Sequence, residues 1–172
     1  TLSNSMCGPE PGDEGRLTHS RGVSFPIGTL AGLNPKLNAV ENTRYLARLY
    51  SLDPDYVESF CRYITGLGDY FERPLHDYSS GMRARLNFAA MLAMDFDIYL
   101  IDEGMPSSTD AEFNRRAMPV LQQRLARAGA VVVSHKPAVL ERYCTTAAVL
   151  KNGKLRFFDR LRGAREVVDY AR

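Results

Sequence analysis

Apolar positions recur at helical spacing in ENTRYLARLY, where Tyr45, Leu46, Leu49 and Tyr50 predict a helix over 41–50 after a polar loop that begins at Pro35. A second helix follows, because Val57, Phe60, Cys61, Ile64 and Leu67 keep one face apolar until Gly66 and Gly68 loosen it. These two helices make an α-rich middle. After HDYSSGM, the stretch RARLNFAAMLAM offers Met82, Leu86, Ala89, Ala90 and Ala93 to one side. Ser79 or Ser80 stands as its N-cap, and the helix runs into a turn at Asp95.

The period then changes. DIYLIDE is a short, nearly continuous apolar run ending in two acids, the pattern of a buried parallel strand with polar groups at its C-terminal end, and AVVVSH repeats it. Between them a helix is predicted over 111–128, with Pro119 kinking it. Strand, helix and strand in that order call for a right-handed crossover and a parallel sheet. AAVLKNGKLRFFD predicts a hairpin around Asn152-Gly153, and GAREVVDYAR a closing helix. At the other end, the acidic turn cluster GPEPGDEG over 8–15 separates the opening segment from the rest. The fold class is α/β.

Composition narrows the picture. A chain of 172 residues, 45% hydrophobic and 24% charged, fits one domain with a packed core. A net charge of +2 is too small to argue for duplex DNA through bulk electrostatics. Cys7, Cys61 and Cys144 are odd in number and far apart, which favours small buried hydrophobes in a reducing compartment over a disulfide framework or a zinc site. No apolar run reaches the ~20 residues that cross a bilayer, so a protein without a membrane span, cytoplasmic in location, is expected.

Acids at the end of a buried strand are costly unless something uses them. Asp102 and Glu103 are therefore candidates, and in an open parallel sheet they would meet His135 at the carboxyl edge, where ligands gather. Capping or salt-bridging stands beside a functional role for the acids, and a lone histidine at a strand end is more often structural than catalytic. Ser79, Ser80 and Gly81 open a helix whose free N–H groups and positive dipole end suit an anion, although a plain N-cap would use the same residues.

The order of these pieces resembles the ATP-binding subunits of ABC transporters. Tyr78-Ser79-Ser80-Gly81-Met82 looks like the signature motif, DIYLIDE like the Walker B strand, Asp110 like the D-loop aspartate and Ser134-His135 like the switch histidine. YSSGM itself, the RARLNFAAMLAMDFDIYLIDE run and ENTRYLARLY are most similar to the capsule-type polysaccharide exporters of Gram-negative bacteria, and the resemblance covers nearly the whole chain.

The resemblance implies a partial P-loop NTPase (ABC ATPase) fold: a parallel sheet core with a helical subdomain over about 36–77, a signature-to-switch region over 78–172, and a C-terminal hairpin and helix. It implies ATP and Mg²⁺ as cofactors. Glu103 would activate the attacking water, Asp102 would hold Mg²⁺ through water, and His135 would contact the γ-phosphate. Ser79, Ser80 and Gly81 would meet the ATP held by an opposite protomer, with Asp110 and Asn34 also at the nucleotide. The helical middle, Glu41 to Phe71, would face a transmembrane permease. The subunit would act as a homodimer or ATPase–ATPase dimer on the cytoplasmic face of the inner membrane, without nucleic acid.

The sequence also departs from the family. GxxxxGK[ST] does not occur in it, and the Gly153-Lys154 pair is followed by Leu155 in the hairpin. Thr1 aligns just after the place where that loop would end, so the domain is read as N-terminally incomplete, with an unpaired sheet edge and a tendency to associate. If the loop supplies about four charge-assisted hydrogen bonds of ~1.5 kcal/mol each, its loss is ~6 kcal/mol, or ~10⁴-fold in affinity. A two-fold homodimer does not restore it, since both copies lack it.

Asn34 stands where the family has the Q-loop glutamine, and GMPSST between Glu103 and Asp110 is one residue longer than the usual form. Two functions are carried forward: an ATP-hydrolysing exporter subunit inactive by itself, or a non-hydrolytic module that binds a permease or a full-length ATPase. A DNA-acting ATPase of the same superfamily is disfavoured by the charge, the YSSGM signature and the lack of a coiled-coil insertion.

Overall fold

A computed structural model describes residues 22–25, 32–102, 110–161 and 167. The helical middle begins with α1, Ala39–Leu49, started by a capping box: the Asn38 side chain accepts from the Glu41 N–H at 2.8 Å, and the Glu41 carboxylate accepts from the Asn38 N–H at 2.9 Å. The second helix, α2 (Pro54–Thr65), starts earlier than its apolar face. Asp53 caps it and Pro54 occupies the first turn, where a missing N–H is harmless. It stops at Gly66, which takes the left-handed conformation at φ 59°. Two short 3₁₀ turns, Gly68–Glu72 and Leu75–Asp77, lead to α3 (Ser80–Ala93), and of the two candidate caps Ser79 is the one used, accepting from the Met82 N–H at 3.2 Å.

The sheet forms as the strand–helix–strand order requires. Strand β1 (Ile98–Asp102) pairs in parallel with β2 (Gly129–Val133), and the register sets Ile98 against Gly129 and Asp102 against Val133. Between them α4 spans Ala111–Leu125; it runs unbroken through the exposed Pro119 and ends short of Ala128, the last residues closing in a turn. On the other side of β1, residues 22–25 add a parallel bridge between Val23 and Ile98. The Ser24 N–H donates to the Ile98 carbonyl at 2.9 Å, and the Ser24 hydroxyl accepts from the Leu100 N–H at 2.8 Å. Strand β1 is thereby flanked on both sides.

After β2 come α5 (Pro137–Tyr143) and the antiparallel hairpin of β3 (Ala147–Lys151) and β4 (Lys154–Phe158). Its two-residue turn has φ 52° at Asn152 and 73° at Gly153, as an Asn-Gly hairpin requires. The closing helix of the sequence lies outside the described residues apart from Val167.

The core runs through α3, whose residues from Leu86 to Ala93 are all buried between α2 and α4. Phe113, Ala117 and Leu121 of α4 and Tyr99 and Ile101 of β1 close on it. Phe96 sits among Phe25, Tyr50 and Tyr99 with edge-on ring contacts, at centroid distances of 6.2, 5.6 and 5.7 Å. The buried Tyr99 hydroxyl is satisfied by donating to the Met94 carbonyl at 3.0 Å. Cys61 is buried and Cys144 half-buried, and both are free thiols. Among the described residues no helix is long and apolar enough to cross a membrane.

Candidate functional site

The parallel register decides what meets at the sheet edge. Asp102 ends β1, half-buried, opposite Val133; the chain leaves β2 there and reaches the exposed His135 just beyond. Asp102 and His135 thus come to the same carboxyl edge on neighbouring strands. Ser134 turns the chain, its hydroxyl accepting from the Lys136 N–H at 3.1 Å, and α5 begins one residue later. Glu103 lies outside the described residues, as does the GMPSST stretch.

Ser79, Ser80 and Gly81 are exposed at the start of α3. The glycine there has no packing reason: a Cβ added to Gly81 would find only the Ser79 hydroxyl, at 3.9 Å. Glycine in a helix costs up to about 1 kcal/mol against alanine, and what it leaves here is open room over the helix start. This end of the helix is firmly placed. Tyr78 is buried, and its hydroxyl donates to the Tyr70 carbonyl at 2.7 Å; burial first, and then the charge of Glu72, push that phenol up to about 12.

Asp110 has a double task. One carboxylate oxygen caps α4, accepting from the N–H groups of Glu112 at 3.1 Å and Phe113 at 3.0 Å, and the other takes the Arg85 guanidinium at 2.6 Å. The Phe113 N–H above all, and then the Arg85 charge, hold this carboxyl below the usual carboxylate range. Arg85 belongs to α3, so Asp110 is tied to the helix that carries Ser79–Gly81. Nothing in the spacing of the sequence singled out Arg85.

Asn34 lies on an exposed loop and its side chain is used locally, accepting from the Lys36 N–H at 3.0 Å. No group of three or more His, Cys, Asp or Glu gathers among those residues to hold a metal by itself. Asp102 alone fits an ion that keeps most of its water and shares phosphate oxygens, which is how magnesium binds.

Charged side chains knit the helical middle. Arg44 of α1 pairs with Asp55 at 2.7 Å and Glu58 at 2.8 Å, and Arg62 of α2 pairs with Glu58 at 3.2 Å and Glu72 at 2.7 Å. The Arg44 hydrogen bond is the main reason Glu58 sits below its ordinary pKa. Around this network Tyr45, Leu49, Tyr56 and Tyr63 stay exposed on α1 and α2.

Known structures show what fold this is. A solved ATP binding subunit of an ABC transporter superposes with a TM-score of 0.67, at 20% identity, over 85% of this chain and 67% of its own. The dimeric post-hydrolysis state of the ATP-binding cassette MJ0796 bound to ADP and Pi does so with a TM-score of 0.60, at 23% identity, over 83% and 64%. The architecture is therefore that of an ABC ATPase, a P-loop NTPase domain. No family model matches the chain.

Relatives define it further. The ATP-binding protein BexA of Haemophilus influenzae is 38% identical over 159 residues, 92% of this chain and 73% of that protein. The capsule polysaccharide export ATP-binding protein CtrD of Neisseria meningitidis serogroup B is 34% identical with the same coverage, and a polysialic acid transport ATP-binding protein KpsT of Escherichia coli is 33% identical over 99% and 78%. The chain belongs to the ABC ATP-binding proteins of capsule and polysaccharide export.

Proposed function

We propose that the chain supplies the signature, Walker B and switch elements of an ATP-hydrolysing subunit that drives export of capsular or related cell-surface polysaccharide. Supporting this most is one observation: in a chain of the capsule-export family, Asp102 ends one parallel strand and His135 follows two residues after the end of its neighbour, and Ser79–Gly81 open a helix whose glycine has no packing role. When bound, magnesium–ATP supplies the phosphoanhydride whose cleavage drives transport. Glu103 would take the proton of the attacking water, and Asp102 would hold the ion through water. His135 donates toward the terminal phosphate. Ser79, Ser80 and Gly81 present hydroxyl and N–H donors to a nucleotide held by an opposite protomer, while Asp110 and Asn34 set the loops beside it.

The partner surface follows from exposure. Tyr45, Leu49, Tyr56 and Tyr63 leave aromatic and aliphatic area uncovered on α1 and α2, which suits a transmembrane permease docking on the helical middle. The place of work is the cytoplasmic face of the inner membrane, with two ATPase copies per transporter. The 172 residues contain no GxxxxGK[ST], so the phosphate-binding loop of the proposed site is not among them. The second reading is a non-hydrolytic module that binds a permease or a complete ATPase.

The test is a Glu103→Gln replacement in the native cell, with surface polysaccharide and protein abundance measured together. Loss of surface polysaccharide at unchanged abundance is the result expected of hydrolysis. Normal export in the variant, with export lost when the gene is deleted, would establish the non-hydrolytic module instead.

A further inference from the structure

Asn42 lies in the first turns of α1 with 1% of its surface exposed, yet its carboxamide does not serve the helix start, which Asn38 and Glu41 already cap. It reaches back to the preceding loop. Its Nδ2 donates to the carbonyls of Asn34 at 3.1 Å, Leu37 at 3.3 Å and Asn38 at 2.8 Å, and its Oδ1 accepts from the Asn34 N–H at 2.7 Å. Among side chains of this size only asparagine offers donors and an acceptor in that arrangement; aspartate lacks the donors and leucine both.

The loop so held is joined on its far side to the segment before α3. The Leu75 N–H donates to the Leu37 carbonyl at 3.0 Å, the His76 N–H to the Pro35 carbonyl at 2.9 Å, and Asn38 bridges Pro74. That segment runs through Tyr78, anchored on Tyr70, directly into the Ser79 cap. The Leu37 carbonyl thus receives both the Asn42 side chain and the Leu75 amide.

We propose that Asn42 is a positioning residue that locks the Asn34 loop and the Ser79–Gly81 turn into one unit, so that a displacement of the helical middle moves both together. The functional part rests on the reading of Ser79–Gly81 as a phosphate contact. The mechanical part stands on the hydrogen bonds alone.

Amide hydrogen exchange on the full chain tests it. In Asn42→Ala the amides of Asn34, Leu75 and His76 exchange faster than in wild type by about tenfold or more, whereas those of Val57 and Gly66 in α2 keep their wild-type rates. Faster exchange at Asn34 with Leu75 and His76 unchanged would show a purely local structural role and overturn the proposal. If the variant does not fold, the wild type in sub-denaturing urea answers the same question. Asn34, Leu75 and His76 should open together with one urea dependence, and separate openings would overturn the coupling. Intact export in Glu103→Gln cells would sink the hydrolytic reading while leaving this exchange result standing, so the two failures are distinct.

Discussion

Gly66 is where α2 meets α4, and replacing it with alanine has two separable costs. The first is conformational: φ is +59°, a region that costs an L side chain about 1 kcal/mol. The second is a collision, since an added Cβ would lie 2.7 Å from Nη1 of Arg116. That guanidinium donates to the Tyr63 carbonyl at 2.8 Å, pairs with Glu112 and lies 5.4 Å from the centre of the Tyr63 ring. The head group can swing aside, but it then gives up the carbonyl, a charged hydrogen bond worth about 1 kcal/mol at this partly exposed site.

Gly66→Ala should therefore destabilise the chain by about 2 kcal/mol in urea denaturation, close to thirtyfold in the folding equilibrium. Gly68 is the internal control. Its φ is +55° and nothing lies within 4 Å of its added Cβ, so Gly68→Ala should cost only the conformational part, about 1 kcal/mol. In an Arg116→Ala background the two glycine variants should become equal. Equal costs in the wild-type background, or a difference that survives removal of Arg116, would refute the proposed joint between α2 and α4.

Other expectations follow from single contacts. Tyr78→Phe removes the bond to the Tyr70 carbonyl with little change in packing and should cost about 1 kcal/mol in the same denaturation assay; in the wild type this phenol should titrate at about 12. Asp110 has a folded pKa below its unfolded value, so its contribution is complete above the ordinary carboxylate range and disappears as pH falls through the lower folded value. The stability difference between wild type and Asp110→Asn should be flat near neutrality and vanish in acid; a difference unchanged in strong acid would contradict it. Cys61, fully buried with its thiol pushed up by that burial, should resist alkylation until the chain unfolds.

Much of the fold was legible because the relevant signals are local. The apolar run into Asp102, its repeat into Ser134-His135 and the Asn-Gly turn each declare an element within a few residues, and the intervening helix forces the parallel pairing of β1 and β2. The apolar face of α2 is legible from Val57 onward, while its start is set by Asp53-Pro54, a cap and first-turn signal outside that face. Residues 22–25 gave no period at all; their pairing with β1 depends on Ser24, whose hydroxyl does a backbone group's work. The site was legible as a set of residues and not as a mechanism. Arg85 on Asp110 and Arg116 at Gly66 are long-range partners, and Asn42 reaches back to the nearby 34–38 loop, with side chains that look, in sequence, like ordinary helix-surface residues.

The most direct test of the account is ATP hydrolysis by the exporter complex purified from the native cell, wild type against Glu103→Gln. Removal of a general base lowers a rate by roughly 10²–10⁴-fold, so turnover should fall by at least about a hundredfold while the amount of assembled complex stays the same. Wild-type turnover in the variant would contradict the assignment of this chain to the hydrolytic machinery.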